Sequence, residues 1–136
     1  MMRRSLNSIS VLALIVLVFS STAAVAYEKP SRICAVEGFL SFDIAMLRGM
    51  GDASREEVGK AFEFLGPSAV LLLDQQFEME ATDGRISVYK LALMRMWDRS
   101  DACTENGPQL TLSAQAVDEI YKHGQATQQR YRRVNR

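Results

Sequence analysis

Apolar positions recur along this chain at helical spacing, broken by short Gly, Pro and Ser punctuation. After Pro30, which keeps the residue before it out of helix, Ser31 is placed to cap a first helix over 32–50. On a 3.6-residue period Ile33, Val36, Phe39, Leu40, Ile44 and Leu47 share one broad arc. A second stripe of Cys34, Gly38, Ser41 and Ala45 carries only small side chains, so another helix can approach closely there. Gly49 and Gly51 supply a left-handed stop. Ser54 and Glu57 read as a capping box, opening a short helix whose apolar face is Val58, Ala61, Phe62 and Leu65.

Gly66-Pro67 breaks that helix and starts the next, with Pro67 suited to a first turn. The run from Ala69 to Leu73, then Phe77 and Met79, is compatible with strand or helix by pattern alone. No second β-rich segment exists to pair with it, so helix is expected. Thr82-Asp83-Gly84 is a turn. Ile86, Tyr89, Leu93, Met96, Trp97, Ser100 and Cys103 then share one face of a long helix, which points Trp97 and Cys103 into the same core. A loop follows around Asn106-Gly107-Pro108. Thr111 or Ser113 caps a last helix running to about Tyr121, with Leu112, Ala116, Val117, Ile120 and Tyr121 as its narrow stripe. Gly124 weakens this helix, and 125–136 is expected to fray. The fold class is therefore all-α, a compact bundle of about four or five short helices.

The first 26 residues alter how this pattern is read. Arg3 and Arg4 precede the apolar run VLALIVLVF at 11–19, and Ala24-Val25-Ala26 offers a small-x-small cleavage site. The segment reads as a signal peptide, too short in its apolar part to anchor a helix across a bilayer. The expected organisation is signal peptide 1–26, helical domain 27–121 and basic polar tail 122–136, with a periplasmic or secreted location. Without residues 1–26 the chain has a net charge of −2. That figure divides unevenly: Lys122, Arg130, Arg132, Arg133 and Arg136 make the tail +5 and leave −7 on the rest.

Export bears on the two cysteines, Cys34 and Cys103. In an oxidising compartment a lone pair near the two ends of the hydrophobic region is expected to be bonded. The bridge would close about 70 residues, which the chain-entropy account values at roughly 4 kcal/mol.

Candidate chemistry is sparse. His123 is the only histidine, beside Lys122 in a weakly helical region, and nothing around it promises an oriented base. One histidine and two distant cysteines do not make a zinc site, and neither a phosphate loop nor a CxxC pair is present. Catalytic residues, metal ligands and cofactors are thus all expected to be none, and the protein is not expected to be an enzyme.

Asp43 falls inside the apolar arc of the first helix, where a carboxylate is costly unless paired. It is the one candidate buried acid, either pH-sensitive or satisfied by Arg95, Arg99 or a helix end. Asp74 and Glu78, with Arg130, Arg132 and Arg133, are candidate partner-binding residues, on acidic helical faces and a basic tail. A protein partner is expected and nucleic acid is not. Peripheral membrane contact through the tail and a homodimer through the last helix are both open.

Phe39-Leu40-Ser41-Phe42-Asp43 and Ala102-Cys103-Thr104, followed by a basic amphipathic helix, resemble the corresponding segments of HdeA-type periplasmic acid-stress chaperones. Those are small exported all-helical proteins with one disulfide. The resemblance implies a chaperone that exposes apolar helices at low pH, although two extra residues separate Cys34 from Phe39 and the loop between the cysteines is longer. Arg48 to Gly51, a capped helix and a closing Cys are also similar in general plan to uncharacterised proteobacterial periplasmic proteins and to small disulfide-tied immunity proteins. The leading expectation is a non-catalytic protein-binding role, adaptor or immunity-like, with the acid-activated chaperone as the alternative.

Overall fold

The computed structural model describes residues 30–135; the signal-peptide reading and Arg136 lie outside them. The described residues form α1 (Arg32–Gly51), α2 (Arg55–Ala61), a 3₁₀ turn (Glu63–Leu65), α3 (Ala69–Glu78), α4 (Val88–Asn106) and α5 (Ala114–Val134), with no strand among them. The protein is an all-α bundle closed by a Cys34–Cys103 disulfide with Cα atoms 5.3 Å apart.

Four starts are set by serine. The hydroxyls of Ser31, Ser54, Ser87 and Ser113 accept from Cys34, Glu57, Lys90 and Ala116 amides, satisfying donors that a helix N-terminus leaves orphaned. Ser54 and Glu57 form the full capping box. α4 therefore begins after Ser87, and Ile86 lies outside it.

α1 is the centre of the fold, packed antiparallel against α4 and flanked by α3 and α5. Its small-residue stripe meets α4 as the pattern predicts. A Cβ on Gly38 would lie 2.8 Å from the Met96 carbonyl oxygen and 3.3 Å from the Ser100 Cβ. One register runs the length of the pair: Cys34 faces Cys103, Glu37 faces Arg99, Gly38 faces Met96 and Ser100, and Gly49 faces Val88. Gly49 is thus a contact glycine inside the helix, and Asp52, at φ 51°, takes the left-handed stop expected of glycine.

Two cores form on either side of α1. The larger gathers Val36, Leu40, Ile44, Val58, Leu72 and Leu110, joined by Leu65, Ala69 and Leu73. The smaller is Phe42, Ala92 and Met96, closed by Phe39, Tyr89 and Tyr131. Leu47 and Trp97 were expected to be inside, but both are exposed. α4 turns Ala92, Met96, Ser100 and Cys103 towards α1, which leaves Trp97 at the side.

The last helix differs most from expectation. The segment after Tyr121 is helical as far as Val134, so the expected boundary between domain and basic tail at 121/122 falls mid-helix. Gly124 does not weaken the helix but seats it: a Cβ there would fall 2.2 Å from the Phe39 ring. Beyond it Tyr131 packs edge-on to Phe42, with centroids 5.2 Å apart, and stacks on Tyr89 at 5.8 Å. A single aromatic at the right turn holds a helix whose other residues there are mostly polar.

Gly38→Ala tests the α1–α4 seam. Alanine normally gains about 1 kcal/mol over glycine in a helix, but overpacking against backbone costs about 1–3 kcal/mol. Urea denaturation is expected to show a net loss for Gly38→Ala and none for Gly51→Ala, whose Cβ would meet nothing within 4 Å. Equal effects would mean that the seam is looser than described.

Candidate binding grooves along the last helix

Glu37 was not singled out from the sequence, yet its side chain ties several elements together. It is fully buried, at 0% exposure. One carboxylate oxygen accepts from the Gln109 and Leu110 amides at 2.7 and 3.0 Å. The other lies 3.1 Å from Arg99 Nε, an ion pair by distance without hydrogen-bond alignment. Glu37 thereby ties α1, α4 and the loop into α5. Ser68 Oγ accepts from the Thr111 amide at 2.9 Å, and Gln109 donates to Gln75 at 2.8 Å, which pins the same loop to α3. A signal for this was available in the sequence. Glu37 stands one turn after Cys34 and Arg99 one turn before Cys103, so antiparallel helices joined by that disulfide must bring the two charges together.

Asp43 lies one turn beyond Phe39 on the side of α1 that meets α5, half-buried. Neither Arg95 nor Arg99 serves it. Arg95 reaches the Met79 sulfur and the Glu80 carbonyl, and Arg99 is with Glu37. Burial pushes the Asp43 carboxyl up to about 6, with the nearby His123 charge pulling it partly back. His123 itself is exposed.

Arg48 is a second residue whose role the sequence did not reveal. It donates to the Gln76 and Met79 carbonyls at 2.6 and 2.9 Å and lies over the Phe77 ring, capping the C-terminus of α3. Burial, with Arg95 nearby, holds its guanidinium below its ordinary value.

The expected partner-binding residues are dispersed. Asp74 is paired with Arg55 at 3.0 Å, and Glu78 is exposed one turn further along α3. Arg130, Arg132 and Arg133 are exposed on the last turns of α5, and among the described residues no ion pair joins them to either acid. Sequence reasoning did not find the concave surfaces. A groove of about 640 Å³ opens where the C-termini of α1 and α5 meet the start of α4, walled by Met46, Met50, Val88, Tyr89, Tyr131 and Val134, with Arg130 at its edge. A second, of about 340 Å³, lies on the other side of α5, between Phe39, Trp97 and Tyr121 and the polar residues Gln125, Gln128 and Arg132. Both depend on α5 continuing past Tyr121 to Val134, where the sequence pattern predicts fraying.

Among the described residues no group of three or more metal-ligating side chains comes together, and no helix is long and apolar enough to cross a membrane. No protein-family model, curated protein or solved structure matches this chain.

Two substitutions test this electrostatic picture. Glu37→Gln leaves Arg99 buried without its counter-charge, which should lower the unfolding free energy by about 3 kcal/mol; a loss under about 1 kcal/mol in urea titration would show the pair to be dispensable. Asp43 acts in the opposite sense. Its folded value of about 6 exceeds the unfolded 3.8, so the folded state binds the proton more tightly. Asp43 therefore costs stability above pH 6, and the cost disappears as pH falls through 6 towards 4. Asp43→Asn should stabilise the protein by about 2 kcal/mol at pH 8 and by little at pH 4, read from denaturation midpoints at the two values. A constant difference would put the carboxylate in water.

Proposed function

We propose that this is an exported, non-catalytic protein-binding module, and that it engages an amphipathic segment of its partner through the larger groove at the C-terminal end of α5. The observation that carries this reading is the groove's composition. Its walls are mainly apolar, with Ser87, Thr127 and Asn135 among them, and Met50 and Val134 stand 73% and 83% exposed at its mouth; large apolar side chains exposed together mark interaction sites. Met46 and Met50 are unbranched and adaptable, suited to receiving side chains of varied shape. Arg130 at the edge, with Arg133 beyond it, favours a segment flanked by acidic residues. The disulfide supports an oxidising compartment, and the expected leader in residues 1–26 supports a periplasmic location.

The experiment is fluorescence-anisotropy titration with synthetic amphipathic helical peptides carrying acidic or basic flanks. Acidic-flanked peptides are expected to bind, and Met50→Asp to weaken them by about tenfold or more. Arg130→Glu should weaken acidic-flanked peptides selectively and flatten their salt dependence. Failure of every peptide, or indifference to Met50→Asp, would sink the reading.

The acid-activated chaperone remains as a second reading, supported by the HdeA-type resemblance. Asp43 is a poor trigger for it, because protonating that carboxyl relieves a cost of the folded state rather than creating one.

A further inference from the structure

The smaller groove is more polar than the larger one. Gln128 is 5% exposed, and its Oε1 finds no hydrogen-bond partner in the protein. Buried amide oxygens are rarely left so, and this one belongs to a side chain in the groove wall. Gln125 and Gln129 stand beside it on the same face of α5, and Ser100 faces them from α4. Each amide offers two donors and an acceptor. Interleaved with them is an aromatic surface. Trp97 is 54% exposed, while Tyr121 is held by Phe39, with centroids 6.0 Å apart, and by the Gln125 amide, which donates to its hydroxyl at 3.0 Å. Among the described residues no Asp, Glu or Lys lines the groove, and Arg132 is its one charged wall.

We propose that this groove is a saccharide site, taking a sugar that carries a carboxylate. A sugar ring has an apolar C–H face to lie on the Trp97 indole and adjacent hydroxyls that each need a donor and an acceptor. Clustered glutamines supply both, from the exposed Gln125 and Gln129 of the groove wall. Arg132 then holds the carboxylate. A purely apolar ligand would leave the amides unpaired. An extended peptide needs a longer trough than about 340 Å³, which is at the small end of small-molecule sites, about 300–1,000 Å³. The site is independent of the larger groove, so either assignment can fail alone.

Trp97 is the only tryptophan in the chain, so intrinsic fluorescence reports on this wall directly. The oxidised protein is titrated with galacturonic acid, glucuronic acid and N-acetylmuramic acid, with galactose, glucose and N-acetylglucosamine as neutral counterparts, and with a short neutral peptide. Saturable change is expected with at least one acidic sugar at a Kd of about 1 mM or tighter, and about tenfold weaker with its neutral counterpart. Arg132→Gln should abolish that preference and leave neutral binding alone. Exposed Gln125→Ala is expected to weaken binding severalfold with an unchanged far-UV spectrum. The proposal is overturned if folded protein gives no saturable response to any sugar, if Gln125→Ala and Arg132→Gln bind like the wild type, or if only the peptide binds.

Discussion

A fully buried carboxylate, Glu37, is the constraint on which the arrangement of this small protein depends. It lies on the central helix and is shared between a guanidinium on α4 and two successive backbone amides of the loop that enters α5. Desolvating a carboxylate is expensive, and the cost is recovered only when its lone pairs are filled and a counter-charge is near. Once Arg99 and the amides of Gln109 and Leu110 are in place, the loop has one path, Leu110 enters the larger core, and α5 departs in a set direction. The disulfide one turn away closes the same pair of helices covalently. The two devices act differently: the covalent bridge mainly restricts the unfolded chain, whereas the buried charge penalises every folded arrangement in which its partners are misplaced.

Much of this was legible wherever the determining physics is local. Helix starts at Ser31 and Ser54 follow from capping chemistry within three residues, and the all-α class follows from period. Even the close α1–α4 seam could be inferred, since a stripe of Cys34, Gly38, Ser41 and Ala45 has only one structural use. The failures are non-local. Glu37 reads as one more solvated charge until the disulfide is used to set the register that delivers Arg99. Trp97 was assigned to the core because five of its neighbours on the helical wheel are apolar, yet the width of the α4 face that meets α1 is set by the small residues opposite, and Trp97 falls outside it. Gly124 was taken at its intrinsic propensity, a penalty in a helix, when its value is steric and depends on Phe39, 85 positions earlier.

The two acids on α1 show why burial alone does not identify a switch. Both sit against other helices. Glu37 has two backbone amides on one oxygen and a guanidinium 3.1 Å from the other, so its charge is part of the fold. Asp43 has no ion-pair partner among the described residues, and its carboxyl is pushed up by burial. Position in an apolar arc pointed to Asp43, and burial does push its carboxyl up to about 6, but in the direction that strengthens the folded state in acid. A group that loosens a protein on protonation must instead be one whose charge the fold stabilises.

The same aromatic residues that hold α5 in place also form the walls of both grooves. Tyr131 anchors the end of the helix on Phe42 and Tyr89 while lining the larger groove. Phe39 receives Gly124 and lines the smaller one. With little apolar surface of its own in that half, α5 has nothing else to hold it, so the concave surfaces exist only while these contacts do. This economy is natural in a domain of about a hundred residues, where the apolar area available for burial is limited. It also means that a substitution at Tyr131 or Phe39 cannot separate binding from folding, whereas Met50, Gln125, Arg130 and Arg132 are exposed at the groove edges, outside the aromatic contacts that hold the helix, and it is at those positions that function can be read apart from stability.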